Sequence, residues 1–260
     1  MSTIATQNKV LPMFTPRLEE IYRYLGFRGA DPPEEIKHRV KDCVARMLET
    51  ITLRTTRRKF PVVVTDPDTV HIAGLTIRSK DLCRNLAGCD EAYMFAATVG
   101  IGIDRLIKRG EVSNMADALI CQAAGAELIE SYVTELNGDL RARERERGYK
   151  LRPRFSPGYG DLPIALQKDF SRILSLPRTC GITLTDTLLM VPSKSVTAFI
   201  GCTRESGYEN EGDYLAAVVN PLTATGKSAK EAVGGDAVSE EDERTAKCRS
   251  CNKYDCEYRK

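Results

Sequence analysis

The strongest constraint on this chain is the stretch 113–147, where Met115, Leu119, Ala123, Ala126, Ile129, Val133, Leu136 and Leu140 recur at steps of three and four. That spacing lines all of them along one side of a helix. A long apolar stripe must be covered by other elements, so the stretch is predicted to be the core helix of the domain. Its last turns, residues 141–147, mix arginine with glutamate and read as a solvated helix end.

The flanking segments supply the cover. Residues 15–50 read as two helices. The second is predicted to start at Asp31, with prolines at the next two positions and Glu34 three residues on, a capping-box arrangement. Ile36, Val40, Val44, Met47 and Leu48 continue it at helical spacing. From residue 51 to 77 β-branched runs are broken by Asp66-Pro67-Asp68 and Gly74, which predicts two or three short strands. The basic run Arg54-Thr-Thr-Arg57-Arg58-Lys59 leads into the first of them and reads as a solvated sheet edge. A short helix is expected over 79–87. Residues 92–99 form an unbroken apolar run ending at Gly100, the pattern of a strand buried on both faces. A helix over 163–174 and strands over 182–184 and 195–202 complete the regular pattern.

Composition narrows the function. Apolar residues make up 42% and charged residues 28%, and no run approaches the roughly 18 apolar residues of a membrane span. Lys and Arg number 38 against 36 acids, so no global field favours nucleic acid or an anionic membrane as partner. The first residues lack the apolar block of an export signal, and the cytoplasm is the expected compartment. Two histidines, His38 and His71, make histidine-based triads or metal sites poor candidates. Gly100-Ile-Gly102 lacks the third glycine of a dinucleotide fingerprint, since residue 105 is arginine, and there is no Walker sequence.

Six of the nine cysteines, Cys43, Cys83, Cys89, Cys121, Cys180 and Cys202, are scattered and read as small buried hydrophobes. Beyond residue 202 the composition turns to Gly, Ser, Ala, Asp and Glu, and 203–247 reads as a flexible linker after a domain spanning 1–202. The tail 248–260 carries Cys248-x2-Cys251-x4-Cys256. Three thiolates so spaced suit an iron–sulfur centre with one exchangeable iron, or zinc completed by a further ligand. The alternative is a reduced tail or a redox-active thiol pair.

Between the long helix and the next lies Arg152-Pro-Arg-Phe-Ser-Pro-Gly-Tyr-Gly-Asp-Leu-Pro163. Pro157 fixes its backbone, while Gly158 and Gly160 admit conformations closed to other residues and let a ligand approach the chain. Arg154 offers a fork to a carboxylate or phosphate, and Tyr159 a flat ring with a hydroxyl tip. Such a loop suits a small zwitterionic or adenosyl ligand. The plainer meaning is a turn between helices.

Arg154-Phe-Ser-Pro-Gly-Tyr159 resembles the Arg-Pro-Ala-Pro-Gly-Tyr signature of the activation domain of cobalamin-dependent methionine synthase, with Phe155 and Ser156 as departures. The order around it agrees: a long helix before, then a helix, Leu184-Thr-Asp186 and Met190-Val-Pro-Ser-Lys-Ser-Val196. The likeness covers about residues 115–202, and the variant loop is similar to that of stand-alone relatives. It implies an α+β fold, a twisted and largely antiparallel sheet flanked by helices including one long one. It also implies reactivation of a corrinoid enzyme whose cobalt has become cob(II), with S-adenosylmethionine giving the methyl group. Arg154, Ser156, Pro157, Gly158 and Tyr159 would then contact that ligand, and an acid on the long helix, Glu127 or Glu130, would face its ammonium. The implied partners are a methionine synthase lacking its own activation domain, which holds the cobalamin, and an electron donor of flavodoxin or ferredoxin type. A non-catalytic module that binds a corrinoid protein or senses metal, with structural zinc in the tail, is the competing reading.

Overall fold

A computed structural model describes residues 16–65 and 68–204. Asp66 and Pro67 of the expected turn, most of the expected linker and all of the cysteine tail lie outside the described residues.

The apolar run predicted as a buried strand is β4, Cys89–Thr98. Its alternate side chains build two cores: Tyr93, Phe95 and Ala97 face one layer, and Ala92, Met94 and Ala96 the other. On one side β4 pairs with β1, Arg54–Val64, from Arg54 opposite Thr98 to Pro61 opposite Glu91. On the other it pairs with β8, Ser195–Thr203. Adding β2, Thr69–Ile72, β3, Leu75–Arg78, and β5, Lys150–Leu151, gives an antiparallel six-stranded sheet of order β3-β2-β1-β4-β8-β5. A small hairpin of β6, Thr183–Leu184, and β7, Met190–Val191, stands apart from it.

One face of the sheet is covered by α1, Leu18–Tyr24, α2, Glu34–Thr50, α4, Ile101–Ser113, and the long α5, Met115–Glu146. The other carries α3, Lys80–Leu86, α6, Gln167–Leu174, and α7, Leu176–Thr179. There Phe170 meets Phe199 of β8 edge-on at 4.8 Å. The fold is therefore α+β with a long core helix, as the sequence predicts. Among the described residues no helix is long and apolar enough to cross a membrane.

Four local expectations are corrected. Helix α2 begins at Glu34 with Pro33 as its cap and no side-chain cap, because Asp31 turns to Lys37 Nζ at 2.8 Å instead. The stripe on α5 does not hold at its start, where Met115 and Leu119 are 61% and 59% exposed. Farther on, Glu127, Leu128 and Ile129 are buried in succession, since neighbours enclose the helix there on more than one side.

The basic run does not form an edge either. β1 lies inside the sheet between β2 and β4. Lys59 stays compatible with that place because its Nζ reaches Glu144 at 2.6 Å and Glu91 at 3.1 Å. By the same contact the end of α5 is not simply solvated. Glu144 is buried, and its carboxylate also accepts from Tyr93 Oη at 2.6 Å and Arg147 at 3.0 Å. Gly102 is a packing residue, since a side chain there would collide with the carbonyl of Thr50 at the end of α2.

Candidate functional site

The loop 152–163 is held at both ends. At its start the chain leaves β5 still paired to β8. Arg152 N donates to Gly201 O at 2.8 Å, and Phe155 and Phe199 exchange two backbone hydrogen bonds of 2.9 and 2.8 Å. Beyond Phe155 it closes a tight turn through Tyr159 N to Ser156 O at 3.0 Å, Leu162 N to Tyr159 O at 2.9 Å and Gly158 N to Leu162 O at 2.9 Å. Gly158 and Gly160 adopt positive φ of 95° and 51°, which glycine tolerates best. Gly160 is doubly required, because a Cβ there would run into the Asp81 carboxylate.

The far end is pinned by Asp161. Its carboxylate accepts from the Ser79 hydroxyl, from Lys80 N at 2.7 Å and from Asp81 N at 3.2 Å. Asp161 N returns a bond to Asp81 Oδ2 at 3.2 Å. The loop thus caps the start of α3 reciprocally. Partial burial pushes the Asp161 carboxyl up, but the Ser79 hydroxyl and the two amides outweigh it and hold the group below the usual aspartate value.

This frame presents two of the predicted residues. The Tyr159 ring, 62% exposed, leans at 55° to Phe155 with centroids 6.4 Å apart. Arg154 is largely covered, and its Nη2 lies 3.4 Å from Glu130 Oε2 on α5. That long contact uses one corner of the guanidinium. Its other donors meet no acceptor among the described residues, which leaves a fork able to take a carboxylate. Pro157 is buried beneath the turn, and Ser156 contributes its carbonyl to it.

Glu127 sits elsewhere. Its Oε1 accepts from Arg17 N at 3.3 Å, Arg17 Nε at 3.4 Å and Ser131 Oγ at 2.6 Å, tying the start of α1 to α5. Of the two acids considered on the long helix, Glu130 is therefore the one beside Arg154. The roles of Asp161, Ser79 and Asp81 were not read from the sequence. The signal available was a Ser79 helix cap and an aspartate that no local pattern connects to it.

The family described as vitamin B12 dependent methionine synthase, activation domain, matches residues 81–214. The chain belongs to that family. The activation-domain match runs from within α3 to beyond β8 and contains the whole loop. Thirteen chains of solved structures are similar. One is a crystal structure of the MetH reactivation domain bound to AdoHcy, with a TM-score of 0.54, 16% identity, and coverage of 79% of this chain and 82% of that one. At that identity the likeness establishes the activation-domain fold. No curated protein matches the chain. Among the described residues no group of three or more His, Cys, Asp or Glu could hold a metal ion, and Cys248, Cys251 and Cys256 lie outside them.

Proposed function

We propose that this protein is an accessory component that reactivates a cobalamin-dependent methyltransferase, a methionine synthase lacking its own activation domain, with S-adenosylmethionine bound at the loop 154–159. The observation that carries this reading is the Arg154 fork and the Tyr159 ring, presented together by a braced loop in a chain of the activation-domain family. The residues fit the ligand's chemistry. Arg154, steadied by Glu130, would take the carboxylate. The exposed ring of Tyr159 suits the adenine or the sulfonium charge, and Gly158 and Gly160 let the ligand lie against backbone. The solved relative in complex with AdoHcy supports the same ligand class.

Bound S-adenosylmethionine would supply the methyl group to the reduced corrinoid of the partner protein, with the electron coming from a flavodoxin- or ferredoxin-type donor. The chain's own part is positioning, which needs no histidine. We place this activity in the cytoplasm, and assign Cys248, Cys251 and Cys256 to an iron–sulfur centre or zinc. Anaerobic purification with a visible spectrum and metal analysis tests that assignment: coloured iron supports a cluster, colourless stoichiometric zinc a structural ion, and no metal rejects both.

Calorimetric titration of S-adenosylmethionine and AdoHcy into the wild type and Arg154→Ala tests the main reading. Binding is expected in the wild type, with affinity lowered at least about tenfold in the variant, about 1.4 kcal/mol. Absence of binding by the wild type rejects the loop as a ligand site.

A further inference from the structure

Two thiols face each other where α2 crosses α5. Cys43 lies midway along α2 beside Val40, Val44 and Met47, and Cys121 in the second turn of α5. Both are buried, at 2% and 4% exposure, and their sulfurs are 2.8 Å apart. A disulfide has an S–S length of about 2.03–2.05 Å, so closing the bond requires a movement of about 0.8 Å. With Cys43 as donor, the S–H···S bond holds the Cys121 thiol below its ordinary pKa against the opposing effect of burial, and the Arg46 charge adds to this. The Cys43 thiol is pushed up by the same bond and by burial. Cys83 and Cys180 are just as buried but have no such activation. Burial raises both, Cys180 to about 11.

We propose that Cys43 and Cys121 are a site of reversible oxidation, closing an internal disulfide between α2 and α5 when the protein meets a peroxide. The Cys121 thiolate attacks one peroxide oxygen, the O–O bond breaks, and a sulfenic acid and hydroxide result. The hydroxide takes the Cys43 proton and leaves as water. The Cys43 sulfur then attacks the Cys121 sulfur and breaks its S–O bond, and the expelled hydroxide regains the proton first lost by Cys121. Two thiols and one hydrogen peroxide become one disulfide and two waters; the sulfurs lose two electrons and the peroxide gains them. The bond closes a loop of 77 residues between positions 43 and 121. It fastens a covering helix to the helix that carries Glu130, so the oxidised form is the more rigid.

The test is incubation of the full chain with hydrogen peroxide, alkylation in denaturant, digestion and mass spectrometry. A Cys43–Cys121 cross-linked peptide, two hydrogens lighter than its reduced parts and released by dithiothreitol, is expected, with Cys83 and Cys180 alkylated. Thermal melting of the oxidised wild type is expected about 5–15 °C higher than that of the reduced form. Cys43→Ala abolishes both the cross-link and the rise. Recovery of Cys43 and Cys121 as alkylated thiols, over-oxidation of Cys121 with no cross-link, or pairing of either with another cysteine overturns the proposal, and the wild-type mapping decides without any variant.

Discussion

Replacing Asp161 with alanine removes one acceptor from three donors at once, the Ser79 hydroxyl and the amides of Lys80 and Asp81. A stability loss of about 2 kcal/mol is expected in urea unfolding, since each lost bond involved a charged acceptor in partial contact with water. The ligand affinity of the loop is expected to fall about tenfold although Arg154 is intact, read by the same calorimetric titration. Gly160→Ala forces a positive φ on alanine and a collision with Asp81, for a similar loss of roughly 1–3 kcal/mol in urea unfolding. Arg154 and Tyr159 were legible in the sequence because they lie close together in one recognisable stretch. The anchor was not, because Asp161 and its partners at 79–81 are joined only by the fold.

At the scale of elements, the joint between α5 and β1 rests on one buried carboxylate. Glu144 is pushed up by burial, but the bonds from Lys59 and Tyr93 and the charges of Lys59 and Arg147 hold it below its ordinary value. Glu144 and Asp161 both have lowered folded values, so their stabilisation is complete above the unfolded-chain values near about 4 and is lost as pH falls through the folded ones. Thermal melts followed by circular dichroism are expected to be flat from about pH 7 to 5 and to drop below about pH 4. Glu144→Gln is expected to lower the melting temperature at neutral pH and to flatten the acid limb. Removing the cation with Lys59→Met leaves a buried carboxylate poorly compensated, at a cost of about 3 kcal/mol in denaturant unfolding. The sequence predicts two or three short strands within 51–77, through its β-branched residues, with the basic run 54–59 leading into the first. It could not show that this strand is interior, because the acid that neutralises Lys59 comes from 85 residues away.

For the whole molecule, the decisive arrangement is a single sheet with a core on each side. Phe199 is central to the second core: it meets Phe170 at 4.8 Å, and its backbone pairs with Phe155. Phe199→Ala is expected to cost about 3–5 kcal/mol. With no tryptophan in the chain, circular dichroism and tyrosine fluorescence are the two probes, and their urea transitions are expected to coincide if both cores melt as one unit. The architecture was legible through the long helix, the buried strand and the resemblance of the loop. The neighbours of each strand were not, since the sheet order sets β4 beside β8, whose start is tied back to it by a hydrogen bond from Thr98 Oγ1 to Lys194 O, 96 positions on in the sequence.

The loop also closes the outer edge of β8 through the backbone of Arg152 and Phe155. Were it to swing away, the bare edge of Ser195-Val-Thr-Ala-Phe-Ile-Gly201 would be a template on which a second chain could add a strand. The segment proposed to recognise a ligand therefore doubles as a guard against clumping. Storage life and ligand occupancy become linked, with turbidity rising in chains whose loop is loosened and falling when the loop is filled.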